Sequence, residues 1–360
     1  MGHTAMLDYD QILAVTPYSL VKEKKAGFLL GIMQHLTAHH YAKCPEYRKL
    51  LDAFGKSPEK IKSMVDVPFL PVRLFKAHAL RSVEKDEIIR TMTSSGTSGT
   101  AVSKIFLDRK TSANQTKALA RIAVYSIGKA RLPLIILDTS AVLKDRKMFS
   151  ARGAGILGFS MFGRDKIYAL DEDMNLDIKG IEKFLETHAN ENILLFGFTF
   201  MIWQHFYELL KKHKFHPDLS QGVMIHGGGW KKLADKAVSA EKFNQALNRV
   251  CGIARVYEYY GMVEQTGTIY MACDTGHLHA SVYSDIIIRR HDDFSPAEYG
   301  EKGIIQTLSA LPFSYPGHSL LTEDEGVVLG EDDCPCGRKG KYFKVLGRIK
   351  KAEIRGCSDA

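Results

Sequence analysis

The chain has no long uncharged apolar run, no basic segment leading into an apolar one, and only six cysteines in 360 residues. These absences argue against a membrane span and against a secreted, disulfide-built protein. We therefore expect a cytoplasmic protein whose thiols are mostly reduced. The chain also lacks internal repeats, and its low-complexity content is confined to one segment, residues 91–100.

Positive charge is in excess but is not concentrated in one place. The formal net charge is +8, with 45% hydrophobic and 25% charged residues. A balance of this kind suits an anionic ligand, whereas a nucleic-acid partner would need Lys and Arg massed on one face. The sequence therefore predicts a globular protein with no nucleic-acid partner.

Residues 91–100 read TMTSSGTSGT, which permits two interpretations. Gly and Ser order poorly and are typical of flexible linkers. The same small residues also let successive backbone N–H groups turn toward one phosphate. The segment contains neither the Gly-Lys-Ser/Thr of a Walker motif nor the G-x-G-x-x-G of a dinucleotide fingerprint. Its place directly before the strand-like SKIFL, in an α/β region, favours a ligand site.

Three regions follow from the periodicity. Residues 1–90 are helical, with an apolar stripe formed by Leu29, Ile32, Met33 and Leu36. Residues 91–270 alternate β-type runs with amphipathic stretches such as 177–188 and 239–250, which predicts an α/β core of parallel strands and crossover helices. Residues 271–360 carry SDIIIRR, GIIQTL and GVVLGE, which predict a smaller β-rich subdomain of antiparallel strands.

Five motifs occur in a fixed order along the chain: SSGTSGT, HGGGW (226–230), YEYYGMVEQTGT (257–268), LTEDEG (321–326) and LGRIKKAEIRG (346–356). Together they resemble the core motifs of the adenylate-forming superfamily over roughly residues 91–356. SARGAGILGF and the ending IRGCSDA make the chain most similar to acyl-protein synthetases of the bioluminescence fatty-acid reductase type. Phenylacetate–CoA ligases are near relatives.

The resemblance implies the α/β large-domain fold of adenylate-forming enzymes: N-terminal helices, parallel and mixed sheets flanked by helices, and a small β-rich subdomain. The chain ends just past the hinge-like segment. We therefore expect the mobile C-terminal domain of typical ligases, and its catalytic Lys, to be absent. Which cation assists adenylation in place of that Lys stays an open question.

The resemblance also implies sites for ATP and Mg²⁺. Phosphate contacts would come from Ser95, Gly96, Thr97, Ser98, Gly99 and Thr100. The adenosine contacts would come from Gly227, Gly228, Tyr260, Gly261 and Asp324, with Tyr260 stacking on adenine and Asp324 accepting from ribose. Glu264 would hold Mg²⁺. Arg348 would contact ribose or phosphate, with Lys350 and Lys351 as further cations. Each of three residues also has a purely structural interpretation. Tyr260 could be an aromatic residue of the core, Asp324 an acidic residue in a turn, and Arg348 a solvated surface charge.

A second constellation combines CDTGHLH (273–279) with CPCGR (334–338). Cys273, His279, Cys334 and Cys336 could form a four-ligand structural zinc site, with His277 as the competing imidazole. The alternative is two reduced cysteines in a Pro-Gly turn. In the HLTAHH segment, His35, His39 and His40 have no evident Cys or carboxylate partner, so we expect a solvated helix face there.

The function predicted from these residues is ATP-dependent activation of a carboxylic acid, expected to be a fatty acid, to an acyl-adenylate. Cys357 would then take the acyl group as a thioester for delivery to a partner reductase. The alternatives are transfer to CoA, or a nucleotide sensor without turnover. Cys44 and Cys251 fall in patterned segments and are expected to be buried. Six aromatic residues could line an apolar acyl pocket or simply form core: Phe159, Phe162, Phe196, Phe198, Phe200 and Trp203.

Overall fold

The computed structural model describes residues 7–94, 102–143 and 151–349. Helices in these ranges are α1 (Tyr9–Ala14), α2 (Lys22–Lys43), α3 (Pro45–Ala53), α4 (Leu74–Ala77), α5 (Arg109–Ile127), α6 (Ala151–Ser160), α7 (Ile178–Thr187), α8 (Thr199–Met201), α9 (Glu208–His213) and α10 (Ala240–Cys251). A π-helical segment, Ile202–Tyr207, joins α8 to α9. No helix in the described ranges is long and apolar enough to cross a membrane.

The strands are β1 (Leu70–Pro71), β2 (Ile88–Thr93), β3 (Lys104–Asp108), β4 (Leu132–Thr139), β5 (Gly163–Leu170), β6 (Leu194–Phe198), β7 (Val223–Gly227), β8 (Arg255–Tyr260), β9 (Tyr270–Ala272), β10 (Leu278–His279), β11 (Ser284–Arg289), β12 (Lys302–Ser309), β13 (Ser319–Glu331) and β14 (Lys341–Arg348). Twelve of them form one sheet in the order β11-β12-β13-β14-β10-β9-β8-β7-β6-β4-β5, with β1 beside β13.

One half of this sheet is parallel, as the α/β pattern predicted. Strands β5, β4, β6, β7 and β8 run in the same direction. Strands β6 and β7 are buried along their whole length because helices cover parallel sheets on both faces. The two amphipathic stretches are confirmed as α7 and α10, whose N-terminal amides are capped by Asp177 and Ser239.

The other half is antiparallel. Strand β8 pairs with β9 in the opposite direction. Strands β11, β12 and β13 form the antiparallel ladder expected from SDIIIRR, GIIQTL and GVVLGE. The sheet is continuous across position 270, and the division of the chain into three domains stays a prediction.

The expected strand SKIFL exists as β3, but the prediction that it belongs to the parallel sheet is wrong. It pairs with β2 in a separate two-stranded antiparallel sheet. A short alternating run specifies an extended backbone but not the direction of its partner. Ser94 and Ser103 close the end of this ladder, because Ser94 N donates to Ser103 O at 3.2 Å and Ser103 N donates to Ser94 Oγ at 2.9 Å.

Helix α2 buries the predicted stripe, since Leu29, Ile32, Met33 and Leu36 are all at most 5% exposed. The expectation of a solvated histidine face is wrong for His40, and His35 and His39 are both half-buried. His40 is fully buried, and its Nε2 donates to Pro312 O at 3.1 Å. His39 is half-buried and stacks on Phe313 with ring centroids 3.9 Å apart. The helix turns these rings toward residues 312–318, a segment far away in sequence that the local pattern cannot reveal.

Candidate active site

Three residues predicted to contact the nucleotide meet where β8 ends. The hydroxyl of Tyr260 donates to Oδ2 of Asp324 at 2.8 Å. Arg348 lies opposite Asp324 in the β13–β14 ladder, with its Nε 3.8 Å from Oδ1 of Asp324. The strand pairing therefore brings together side chains separated by up to 88 positions in sequence numbering.

Burial determines the protonation of this group. It raises the pKa of Tyr260 well above its ordinary value, so the phenol stays protonated and donates. Burial also raises the pKa of Asp324, although the hydrogen bond from Tyr260 and the charge of Arg348 oppose that shift. Near neutral pH this arrangement presents one carboxylate, held by a phenol on one side and a guanidinium on the other.

Glu264 lies four residues beyond Tyr260, in the 3₁₀ turn Val263–Gln265. It is 5% exposed, and burial raises the pKa of its carboxyl, with the charge of Lys76 among the opposing effects. A buried carboxylate is costly unless it is paired or binds a cation. An oxygen donor held in this way fits Mg²⁺, which prefers oxygen ligands.

The glycines of HGGGW begin at Gly227, the last residue of β7, at the carboxyl edge of the parallel sheet, the usual ligand position in such folds. A Cβ on Gly227 would lie 2.5 Å from the Tyr259 ring. Gly228 adopts a φ of +74°, which side chains disfavour. Gly227 therefore makes room for Tyr259 and Gly228 makes the turn. Gly261 is less constrained, because a Cβ there would meet Ile269 at 3.3 Å.

Several predicted residues lie outside the described residues: Ser95, Gly96, Thr97, Ser98, Gly99, Thr100, Lys350, Lys351 and Cys357. Their assignments stay predictions. Cys44 and Cys251 are buried, as expected.

Cys273, His279, Cys334 and Cys336 converge at one point, with their ligand atoms within 4.8 Å of one another. The Sγ atoms of Cys273 and Cys334 are 3.9 Å apart, and Sγ of Cys336 lies 3.4 Å from Nε2 of His279. A tetrahedral ion with Zn–S bonds of about 2.3 Å and Zn–N bonds of about 2.0 Å would place these pairs roughly 3.8 and 3.5 Å apart. The four side chains therefore fit zinc in both chemistry and spacing.

The two histidines near this cluster differ in their relation to it. His279 is fully buried, and its ring lies between Tyr342 and Tyr18, with centroids 5.7 and 6.0 Å away. His277 Nδ1 lies 3.4 Å from Cys334 Sγ, where a neighbouring imidazole can donate to a thiolate. Although burial opposes ionisation, hydrogen bonds from His279 and Thr275 lower the pKa of Cys273 to about 5.

Sequence reasoning missed a buried ion pair at the end of β4. Arg152 donates from Nε and Nη2 to the two carboxylate oxygens of Asp138, each at 2.7 Å, and Asp138 is fully buried. The sequence did contain a signal for this pair, because an Asp ends the otherwise apolar run LPLIILD. The pair anchors α6, which contains GAGILG at 153–158. Those letters match a dinucleotide fingerprint, but they lie within a helix rather than at a strand-to-helix turn.

A second missed pair is Thr199 and His226, at the ends of β6 and β7. Thr199 Oγ1 lies 3.0 Å from His226 Nδ1 and donates to Gly227 O at 3.2 Å. Burial lowers the pKa of His226 to about 4, so the ring is neutral near pH 7. The pair fixes the backbone that leads into the glycine turn.

The aromatic residues considered for an acyl pocket divide into two groups. Phe159, Phe162, Phe196 and Phe198 are at most 8% exposed and belong to the main apolar core. Phe200 and Trp203 are half-buried. Gly155 faces this cluster, because a Cβ there would meet the Phe198 ring at 2.9 Å.

Solved structures of a CoA ligase have a similar architecture. An open conformation of 2-hydroxyisobutyryl-CoA ligase in complex with 2-HIB-AMP and CoA matches with a TM-score of 0.73 and 17% identity, covering 93% of this chain and 77% of that one. The same ligase in its thioesterification state matches with a TM-score of 0.71 and 18% identity, covering 97% and 73%. At this identity the likeness shows the fold, which is that of adenylate-forming enzymes.

The family is more specific than the fold. The chain matches the family described as acyl-protein synthetase, LuxE, over residues 4–360. A long-chain-fatty-acid–luciferin-component ligase of Vibrio harveyi is 21% identical over 359 residues, 97% of this chain and 91% of that protein. A ligase of the same name from Aliivibrio fischeri is 22% identical over 97% of this chain and 92% of that protein. The chain belongs to the acyl-protein synthetase family and is a ligase, as its motifs predicted.

Proposed function

We propose that this ligase uses ATP to convert a fatty acid to its acyl-adenylate and then takes the acyl group onto its own Cys357 as a thioester. The observation that carries the first half is the convergence of Tyr260, Asp324 and Arg348 at the end of β8, four residues before Glu264. Family membership and the names of the two ligase relatives support a long-chain acid as substrate.

In adenylation, a carboxylate oxygen of the acid attacks the α-phosphorus of ATP, and the bond to pyrophosphate breaks. Negative charge develops on the phosphate oxygens, and donors already in place lower the barrier. Asp324 accepts from the ribose hydroxyls, with Tyr260 and Arg348 fixing its carboxylate. Residues 95–100 supply N–H and hydroxyl donors to the phosphates.

Glu264 holds Mg²⁺ in this proposal, and Mg²⁺ supplies charge neutralisation for the departing pyrophosphate. Its carboxylate is the buried oxygen donor closest in sequence to the nucleotide group at Tyr260. Arg348, whose Nε lies 3.8 Å from Oδ1 of Asp324, supplies positive charge beside the ribose and phosphates in this proposal.

The cysteine–histidine cluster holds structural zinc in this proposal, through Cys273, His279, Cys334 and Cys336. Three of these residues are buried and Cys336 is half-buried, so four protein ligands would complete the coordination shell. The cluster links the loop before β10 with the loop before β14, both in the antiparallel half of the sheet. Its role is to hold those loops and not to take part in the acyl chemistry.

Cys357 completes the reaction by attacking the acyl carbonyl of the adenylate. Its thiolate forms the thioester, AMP leaves, and the acyl group stays activated toward reduction by a partner acyl reductase. Arg355 and Lys350 supply nearby positive charge along the chain, which favours the thiolate.

The test is pyrophosphate release from ATP and Mg²⁺ with a panel of carboxylic acids of increasing chain length, first without and then with CoA. We expect release that depends on long-chain acids and a burst of about one equivalent without CoA, because a single thiol takes the acyl group. Sustained release that begins only with CoA, together with acyl-CoA as product, supports a CoA ligase instead. Nucleotide binding without release for any acid supports a sensor.

A further inference from the structure

The backbone around Glu264 is enclosed by a ring of hydrogen bonds that begins and ends in residues 264–266. Thr266 Oγ1 donates to Gln115 Oε1 at 2.9 Å. Gln115 Nε2 donates to the Tyr315 hydroxyl at 3.3 Å. The Tyr315 hydroxyl then donates to the Glu264 carbonyl oxygen at 2.9 Å.

The ring has one self-consistent direction. With the Gln115 oxygen toward Thr266 and its nitrogen toward Tyr315, each of the three acceptors receives a proton. Reversing the Gln115 amide would direct the phenolic proton of Tyr315 to that amide and leave the Glu264 carbonyl without its donor. Tyr315 is fully buried, and Gln115 and Glu264 are each 5% exposed, so water does not readily replace a lost donor.

Close packing reinforces the ring. Gly267 has a φ of +88°, and a Cβ there would lie 2.6 Å from the Gln115 Cα. A Cβ on Gly317 would lie 2.9 Å from the Glu264 carbonyl oxygen, and Gln265 Nε2 donates to Gly317 O at 2.8 Å. Residues 264–267 therefore fit between α5 and the 315–317 turn with little space to move.

We infer that Gln115 and Tyr315 are positioning residues that set the direction of the Glu264 carboxylate toward its metal ion. The inference rests on the proposed role of Glu264 as the Mg²⁺ ligand. Mg²⁺ accepts only a near-ideal octahedral arrangement of oxygens, so a small rotation of the 264 backbone weakens its binding. Gln115 lies in α5, which follows β3, the strand that begins just after the phosphate-binding segment. The ring therefore couples the backbone of Glu264 to the helix that follows the β2–β3 pair.

The experiment is fatty-acid-dependent ATP–pyrophosphate exchange measured against Mg²⁺ concentration in the full chain carrying Tyr315→Phe. Phe keeps the ring, which packs against Phe75 with centroids 6.1 Å apart, and removes only the hydroxyl. We expect the half-saturating Mg²⁺ concentration to rise roughly 5- to 20-fold, because the variant loses both buried hydrogen bonds of the Tyr315 hydroxyl. The exchange rate at saturating Mg²⁺ and the affinity for metal-free ATP stay near the wild-type values.

Tyr47→Phe is the matched control. Tyr47 belongs to the same apolar cluster as Tyr315 and is 1% exposed, but its ring packs against His40 and His318. We expect the wild-type Mg²⁺ dependence in this variant. Equal Mg²⁺ curves for the two phenylalanine variants would overturn the inference. If Tyr315→Phe does not fold, Thr266→Val breaks the ring at its outer bond, and an unchanged Mg²⁺ curve there overturns it equally.

Glu264→Gln separates this inference from the proposed function. If Glu264→Gln loses exchange but Tyr315→Phe keeps the wild-type Mg²⁺ dependence, Tyr315 does not position Glu264. The proposed metal role of Glu264 then still stands. If Glu264→Gln shows the exchange rate and the Mg²⁺ dependence of the wild type, Glu264 does not bind the metal. The hydrogen-bond ring then has no metal ligand to position.

Discussion

Tyr260 and Asp324, 64 residues apart in sequence, are joined by a 2.8 Å hydrogen bond from the phenol to the carboxylate. The bond connects the aromatic residue predicted to stack on adenine with the acid predicted to bind ribose. Asp324 also lies between Tyr260 and Arg348, so the three residues predicted to contact the nucleotide come from three strands of one sheet, β8, β13 and β14.

Tyr260→Phe should raise the KM for ATP about fivefold, because the loss of one buried hydrogen bond costs about 1 kcal/mol. The ring stays available to stack, so the maximal rate changes little. Tyr257→Phe is the control: it lies on the same strand and donates to Asp274 at the same distance, 2.8 Å. If both variants show the same ATP KM in the exchange assay, the Tyr260–Asp324 bond has no part in nucleotide binding.

ATP affinity should fall on acidification at a higher pH than an ordinary aspartate would give. The folded pKa of Asp324 is raised, chiefly by burial, so its carboxylate is lost as the pH falls through that raised pKa. Protonated Asp324 accepts less well from ribose. Equilibrium binding of metal-free ATP between pH 4 and 8, compared with Asp324→Asn, measures this. If the loss of ATP affinity at low pH persists unchanged in Asp324→Asn, a group other than Asp324 causes it.

Purified protein should contain about one zinc per chain, since four protein ligands close a structural site. Cys334→Ser should lose the metal and lower the melting temperature by at least about 3 °C, because a loss of ~2 kcal/mol shifts the melting temperature of a 360-residue chain by roughly that much. Cys251→Ser removes a buried cysteine outside the cluster and should retain the metal. If removing the metal from the wild-type protein leaves its melting temperature unchanged, the alternative of two reduced cysteines in a Pro-Gly turn is favoured.

Replacing both Gly96 and Gly99 by Val should abolish pyrophosphate release while the far-UV circular dichroism stays that of the wild type. A Cβ at these positions would block the approach of backbone N–H groups to phosphate. Gly27→Val is a control at a helical glycine whose Cβ would meet nothing within 4 Å. Undiminished release in the double variant would remove the phosphate-binding role of residues 95–100.

Local pattern was sufficient for the parallel half of the sheet and its flanking helices. The runs that form β6 and β7 are mostly apolar and buried along their whole length, and a residue that can cap a helix directly precedes each of α7 and α10. The antiparallel pairing of β3 with β2 was not predictable in this way, because alternation specifies exposure and not strand direction.

The motifs predicted site residues such as Asp324, Glu264 and the four cluster ligands, and those roles stay predictions. They did not reveal the residues that pack around Glu264. Gln115 and Tyr315 are 200 positions apart, and their bond is a product of tertiary packing with no local periodicity. His40 was misjudged for the same reason, since its partners at 82 and 312 lie on other elements.

The most direct measurement of the central claim is the location of acyl label after incubation with labelled long-chain fatty acid, ATP and Mg²⁺, by peptide mass spectrometry. A single label on Cys357 requires both adenylation of the acid and transfer to this thiol. We predict a hydroxylamine-labile adduct on the peptide containing Cys357, and its loss in Cys357→Ser with pyrophosphate exchange retained. Label that persists on another residue in Cys357→Ser, or no label on the wild type despite acyl-adenylate formation, would contradict the account.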